Sequence, residues 1–358
     1  MGIKTKIIVV GASGALGGLI CDEVNNLFKN EVLLFVGDYH TARGENTARK
    51  FTAKFCETNI NDIEKLSASL SEMDIVIVAI NQREPIIQRI CIEKKLLCID
   101  VTAFDTFAKK VQELYNNIED ETKPTSLLMA GFFPGLSGLL LQKAVKSFDS
   151  VEDANISLIQ NTNAKAGVSG ILDMVKIISQ PVTITYKDKE RQRPGFLMKR
   201  EIKVTSLGKS YKPRLISHSE KAMLEEMLSV DNLHYWTAWN NETFNILISF
   251  LKRTSLLRLI TGRIKRETFN NIIKHDESKS EEILLIVDVK GFKNGVDHTK
   301  SFYIKTFSDY VTTAKTTAAL AKVILTKKNQ GACLPIEITT LDEILEIIDD
   351  KRIEYYQD

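Results

Sequence analysis

The feature that most limits what this chain can fold into is a rhythm in its first third. Short apolar runs, continuous rather than alternating, recur at residues 7–10, 32–36, 75–78, 96–99 and 127–130. A strand reads this way when both faces of its sheet are covered, as in parallel sheets. Between the runs, apolar residues repeat at helical spacing: Leu16, Leu19, Ile20, Val24 and Leu27, then Ile63, Leu66 and Leu70, then Ile86, Ile87, Ile90 and Cys91. Strand and helix in alternation predict an α/β fold with a Rossmann-type, doubly wound parallel sheet.

After about residue 150 the runs lengthen and become polar on one face, at 156–160, 182–186, 198–204 and 283–290. The last is followed by Asn294-Gly295, a favoured type I′ turn between two strand-like runs. This half predicts a second α+β domain carrying an antiparallel sheet. A chain of 358 residues is long enough for two ordinary domains. The expected division is 1–135 for dinucleotide binding, 136–308 for the second domain, and 309–358 returning to the first. A cleft between the two is expected to hold the substrate.

The first apolar run ends in "VVGASGALGG", where Gly11, Gly14 and Gly17 are spaced G-x-x-G-x-x-G. Glycines there permit a sharp turn, close backbone approach to a pyrophosphate, and tight helix-on-strand packing. The N–H groups opening the next helix form an anion site, so Gly11, Ser13, Gly14, Ala15, Leu16 and Gly17 are the candidate cradle. Asp38 ends the second run, about twenty residues beyond, where an acid hydrogen-bonds the adenosine ribose. An acid there repels a 2′-phosphate, which favours NAD over NADP. Tyr39 and Arg43 share that loop; Arg43 either turns toward a 2′-phosphate or is a solvated first-turn residue.

Ligands of a doubly wound sheet sit at the carboxyl ends of its strands. That adds Ala79, Ile80 and Asn81, then Asp100 and Thr102, with Asn81 and Thr102 placed to line the nicotinamide ribose. Asp100 is the best-placed carboxylate for proton transfer, and is equally suited to capping or turn formation. Gly131, Pro134 and Gly135 form a kinked crossing, either approaching the nicotinamide or acting as a hinge. In the second domain, Lys165 and His218 are candidate acid/base groups, each also readable as structural: a solvated loop lysine, and a helix-start histidine between Ser217 and Ser219. Arg214 is a further candidate.

Composition excludes several classes. Net charge is +2 with 26% charged residues, which calls for no nucleic-acid partner. No run of about 18 apolar residues is present to span a membrane, and none reads as a signal peptide, so a cytoplasmic protein is expected. Five cysteines without CxxC spacing fit reduced thiols, and neither they nor the five histidines form a metal constellation. One stretch, "LKRTSLLRLITGRIKR", carries Lys252, Arg253, Arg258, Arg263, Lys265 and Arg266 with no acid. It reads as a helix with a solvated basic face, the alternatives being a membrane-surface helix or attraction of an anionic substrate.

Several segments, in order, resemble the saccharopine-dehydrogenase-like oxidoreductases. They are "VVGASGALGG" and "VGDYH", then "MAGFFPGLSGLLLQKA", "AMLEEML", "LHYWTAW" with Trp236 and Trp239, and "TTAALAKVIL…GACLPIEI". The resemblance implies a nucleotide domain built from both chain ends and an inserted α+β domain that carries substrate and a homodimer contact. It implies hydride transfer between NAD or NADP and the C–N bond of an amino acid or secondary amine, a small-molecule substrate. Phe133 and Ser137 stand where amino-acid-oxidising members can carry acids, and Leu334-Pro335-Ile336-Glu337 departs from the closing P-P-E. These departures leave open a dinucleotide-sensing protein that retains the fold without the chemistry.

Overall fold

The computed structural model describes residues 4–118, 123–164, 168–186, 189–254, 276, 278–327 and 329–358. The chain divides into two compact units, the first formed by 1–139 and 310–349, the second by 140–309 and 350–358.

The first unit is a seven-stranded sheet. In chain order its strands include β1 (Thr5–Val10), β2 (Val32–Asp38), β3 (Lys54–Glu57), β4 (Ile75–Val78), β5 (Leu97–Asp100) and β6 (Thr125–Leu127). A late strand, β16 (Gly331–Cys333), joins beside β6, giving the spatial order β16, β6, β5, β4, β1, β2, β3. All six pairings are parallel. The order reverses at β1, which lies between β4 and β2, and such a reversal is where a doubly wound sheet binds its ligand. β1 and β4 are fully buried along Ile7–Val10 and Ile75–Val78, as expected of β-branched strands covered on both faces.

Two strands escape the apolar-run reading. β3 is KFCE, exposed at both ends, and the late strand is only GAC. Edge strands need fewer apolar residues because one side meets no neighbour. The run at 127–130 also yields less strand than expected. β6 stops at Leu127, and Met129 turns to φ 56° in the left-handed region.

The second unit holds a six-stranded sheet. Its strands are β7 (Ser150–Gln160), β12 (Arg214–Ile216), β13 (Leu233–Trp239), β14 (Ile283–Lys293), β15 (Val296–Thr306) and β17 (Glu354–Gln357), ordered β12-β13-β7-β14-β15-β17. Four of its five pairings are antiparallel, but β13 runs parallel to β7, so the sheet is mixed. Asn294 and Gly295 turn between β14 and β15 with φ 52° and 75°, the conformation that a type I′ turn demands. Two hairpins complete the strands: β8 (Pro181–Tyr186) with β9 (Lys189–Pro194), and β10 (Ile202–Val204) with β11 (Lys209–Tyr211). The run at 198–204 delivers only β10, because Phe196 at φ 63° turns the chain just upstream.

The C-terminal segment returns to the first unit only in part. Helix Asp309–Thr326 and the late strand lie there, but β17 pairs with β15 in the second sheet. The expected single return at 309–358 is corrected accordingly. The five cysteines are free thiols. Among the described residues no helix is long and apolar enough to cross a membrane, and no His/Cys/Asp/Glu group could hold a metal ion.

Candidate dinucleotide site

The site is assembled by backbone hydrogen bonds along the carboxyl edge of the first sheet. Gly11 N–H donates to Gly37 O (2.9 Å) and Ala79 N–H to Val10 O (2.9 Å). Val101 N–H donates to Val78 O (3.2 Å) and Ala130 N–H to Asp100 O (3.0 Å). These bonds bring the glycine loop, Ala79–Ile80–Asn81, Asp100–Thr102 and the Gly131 turn onto one edge of one unit.

The loop at 11–17 has the shape a pyrophosphate needs. Gly11 sits at φ 87°, where a Cβ would lie 2.5 Å from the Ile80 side chain and 2.9 Å from Ala79 O. At Gly17 a Cβ would lie 2.2 Å from Gly11 O, so the helix packs directly on the turn. Helix Ala15–Phe28 begins at Gly14, with no side chain capping it and no acid in its first turn. Some helix starts are capped, by Asp62 for Ile63–Leu70 and by Thr340 for Leu341–Ile348, and others, such as Ile86–Lys94 and Asp105–Asn116, are not. An uncapped N-terminus beside a glycine turn leaves the positive end of the helix for an anion. Ser13 pairs its hydroxyl with that of Thr47 (2.9 Å), tying the loop to helix Thr41–Lys50.

At the end of β2 the Asp38 carboxylate is held on three sides. It accepts from His40 N–H (2.8 Å) and, in a two-pronged contact, from Arg43 Nε (2.9 Å) and Nη2 (2.7 Å). Burial by itself would push this carboxyl up, but Arg43 and the His40 amide outweigh it and hold it below the usual range. Asp38 has a side chain 3% exposed, whereas that of Arg43 is 48% exposed. The guanidinium stacks on the Tyr39 ring at 4.9 Å. The acid thus reaches the site already matched by an arginine whose other face meets solvent.

Asp100 is engaged within the protein. It is fully buried, accepting from Thr102 N–H at Oδ1 (2.7 Å) and from Gln88 Nε2 at Oδ2 (2.6 Å). Gln88 Oε1 accepts from Gln82 Nε2 (3.1 Å), and Gln82 Oε1 from Ile87 N–H (3.1 Å). Donors thus arrive from both ends of this row. Each amide passes one bond on, so only a group that accepts twice closes it, and a carboxylate does. Burial pushes the Asp100 carboxyl up to about 6, the bonds from Thr102 and Gln88 opposing it. Its role is to anchor the strand ends and the loop that carries Asn81.

Gln82 and Gln88 were not among the expected site residues. The signal was present: Gln88 falls among Ile87, Ile90 and Cys91, and is as buried as they are. A polar residue on a buried helix face needs a partner.

The turn at 131–135 is closed by Gly131 N–H to Pro134 O (3.1 Å) and Leu136 N–H to Gly131 O (2.9 Å). Helix Asp309–Thr326 braces it. Thr313 Oγ accepts from Phe132 N–H (3.3 Å), and the Thr317 hydroxyl donates to Ala130 O (2.7 Å). Gly131, Pro134 and Gly135 thereby join the same edge as the glycine loop.

The second unit's candidates fare differently. His218 is buried and stacked on Tyr235 at 4.1 Å and 8°, and its Nδ1 accepts from Glu220 N–H (3.4 Å). Burial pushes its pKa down to about 3, which keeps the ring neutral. Arg214 is likewise committed, gripping Glu242 through two 2.9 Å bonds. Lys165 lies outside the described residues, as do Arg258, Arg263, Lys265 and Arg266 of the basic run.

A parallel sheet with its order reversal at β1, a glycine turn under an uncapped helix and an acid at the end of β2 define a Rossmann-type dinucleotide-binding domain. Residues 7–126 match the family model described as the saccharopine dehydrogenase NADP binding domain. The resemblance to the saccharopine-dehydrogenase-like family is borne out there. No curated protein sequence matches the chain.

In fold, the chain is similar to apo saccharopine dehydrogenase (L-Glu forming) from Saccharomyces cerevisiae. The TM-score is 0.73 at 12% identity, covering 99% of this chain and 99% of that one. A weaker likeness, TM-score 0.48 at 12% identity over 96% of this chain and 95% of the other, is to C. glutamicum DAP dehydrogenase in complex with DAP. An engineered D-amino acid dehydrogenase bound to NADP+ gives 0.48 at 11% identity over 97% and 96%.

Proposed function

We propose that the chain is an oxidoreductase that uses a nicotinamide dinucleotide to move a hydride at the C–N bond of an amino acid or secondary amine. The observation that carries this reading is the first sheet's carboxyl edge, where a phosphate cradle, a ribose acid and a braced Gly-Pro-Gly turn lie together in a domain of the saccharopine dehydrogenase NADP-binding family. The residues fit the cofactor: there is no room for a Cβ at Gly17, and no side chain competes for the helix start at Gly14. When bound, the nicotinamide supplies the hydride acceptor and donor. The chain's part is to hold pyrophosphate on the 11–17 loop, ribose at Asp38, and the reacting end near Asn81, Thr102 and Gly131.

We assign NADP(H) in preference to NAD(H). Asp38 by itself would repel a 2′-phosphate, but Arg43 already matches its charge and presents a solvent-facing guanidinium seated on Tyr39. Arg43→Ala is expected to weaken NADPH binding by tenfold or more, since hydrogen bonds to charged groups contribute about 1.5–3 kcal/mol. NADH binding should change by less than about threefold, a window below one such bond. Equal losses for both, measured by reduced-nicotinamide fluorescence, would remove Arg43 from the phosphate site.

The burial of Asp100 and His218 favours a second reading, a dinucleotide-sensing protein without turnover. An absorbance screen of reduced nicotinamide across amino acids, and across oxo-acid and amine pairs, separates the two. Cofactor binding with no oxidation or reduction of any pair would select the sensor.

A further inference from the structure

The loop that follows β4 is pinned along its length and leaves one charge unanswered. Gln82 turns inward, 8% exposed, accepting from Ile87 N–H and donating to Gln88 Oε1 (both 3.1 Å). From helix Asp105–Asn116, Lys110 Nζ donates to Arg83 O (2.9 Å) and pairs with Glu84 (2.5 Å). The residues on either side of Gln82, Asn81 and Arg83, are both exposed. Of the loop's two charges, Glu84 is matched by Lys110. The Arg83 guanidinium has no hydrogen-bond, ion-pair or ring partner among the described residues. A backbone held this firmly presents its side chain from a fixed base, which lowers the ordering cost of binding.

The strand order places this cation. Arg43 follows β2 and Arg83 follows β4, on opposite sides of β1. The adenosine side thus has its own arginine, and Arg83 stands two residues beyond Asn81 on the side assigned to the nicotinamide. Three segments end the strands there, 79–85, 100–105 and 129–136, and Arg83 is their one cation. Their acids are each accounted for. Glu84 is held by Lys110, and Asp100 is buried in its row. Asp105 opens helix Asp105–Asn116, whose positive end suits it. The next cations, Lys109 and Lys110, lie a turn into that helix. An unpaired guanidinium beside a hydride-transfer centre calls for an anion, and its planar fork matches a carboxylate.

We propose that Arg83 anchors the carboxylate of the substrate. This restricts the substrate class to α-amino acids and their 2-oxo acids, and leaves out amines that lack a carboxylate. In such molecules the carboxylate is one bond from the carbon that exchanges hydride. It is unchanged by the reaction, so one arginine serves amino acid and oxo acid alike. The assignment rests on the dinucleotide reading of the same edge.

The test measures binding, not turnover, on the full chain saturated with NADPH. Pyruvate, 2-oxoglutarate and, as a carboxylate-free counterpart, acetone are titrated and read by fluorescence of the bound nicotinamide. The proteins compared are wild type, Arg83→Ala, Arg83→Lys and the control Arg89→Ala. Wild type is expected to bind at least one oxo acid, and not acetone. Arg83→Ala should weaken oxo-acid binding by about tenfold or more, and Arg83→Lys should restore part of it. Arg89→Ala should leave it within about twofold, as an exposed site away from the contact. NADPH affinity should stay within about threefold throughout, below the loss of one charged hydrogen bond. The proposal is overturned by Arg83→Ala that binds oxo acid as wild type does, or that loses NADPH to the same degree. It is equally overturned by an equal loss in Arg89→Ala, or by NADPH-bound wild type that takes neither oxo acid. Wild type that binds neither NADPH nor NADH would instead remove the dinucleotide reading, and the anchor with it.

Discussion

Gly17→Ala is expected to lower NADPH affinity on the order of a hundredfold, whereas Gly18→Ala, one residue along, leaves it within about twofold. At Gly17 the new methyl would stand 2.2 Å from Gly11 O, 2.7 Å from Gly11 C and 2.8 Å from Ala12 Cα. All three are backbone atoms of the loop itself, so the helix must back away or the cradle must open. Forced overpacking costs about 1–3 kcal/mol, and ~3 kcal/mol of misplaced cradle corresponds to the hundredfold loss. At Gly18 the nearest atom to a Cβ is 3.6 Å away, an ordinary contact. Alanine there also improves helix propensity by about 1 kcal/mol, so Gly18→Ala should melt later than wild type. Titration of nicotinamide fluorescence and thermal melts of both variants decide the matter. Equal affinities would show that the 11–17 turn does not hold the cofactor.

The second large effect falls at Asp100. Asp100→Ala strands two buried donors, Gln88 Nε2 and Thr102 N–H, each unsatisfied group costing about 1–3 kcal/mol. The first unit should lose on the order of 3 kcal/mol in chemical denaturation, and the loop bearing Asn81 should lose its anchor. The pH dependence of stability reports its titration directly. Burial holds the folded carboxyl at about 6, above the usual aspartate range. A raised carboxyl binds its proton more tightly in the folded state, so its contribution is most favourable below about pH 4 and is lost as pH rises through 6. Two pH units correspond to ~3 kcal/mol. The stability difference between wild type and Asp100→Asn should therefore shift toward wild type by about that amount between pH 7 and pH 4. A difference that stays constant with pH would mean that Asp100 does not titrate in that range.

The architecture of the first unit was legible because its cause is local. β1 and β4 are uniform apolar runs since helices cover both faces, and the glycine spacing follows from a close approach that sequence displays directly. Asp38 was legible for the same reason, being tied to the end of a strand at a set distance from the loop. Its pairing with Arg43 was not, because a guanidinium five residues on can point either way and only the tertiary setting decides. The burial of Asp100 and His218 was not legible, for a common physical reason. A titratable residue has the same letters whether it faces a ligand or a sealed interior, and burial alone reverses its meaning.

The parallel sheet of the first unit is finished by a strand that arrives very late. Thr125–Leu127 pairs with Gly331–Cys333, so that flank of the sheet waits for roughly two hundred further residues to be synthesised. At typical translation speeds of about 5–20 residues per second, that is roughly 10–40 seconds on the ribosome. Throughout that interval β6 is an unpaired edge, open to association with other nascent chains. Truncation anywhere before the last helices leaves the cofactor domain in this half-built condition, however intact its glycine loop.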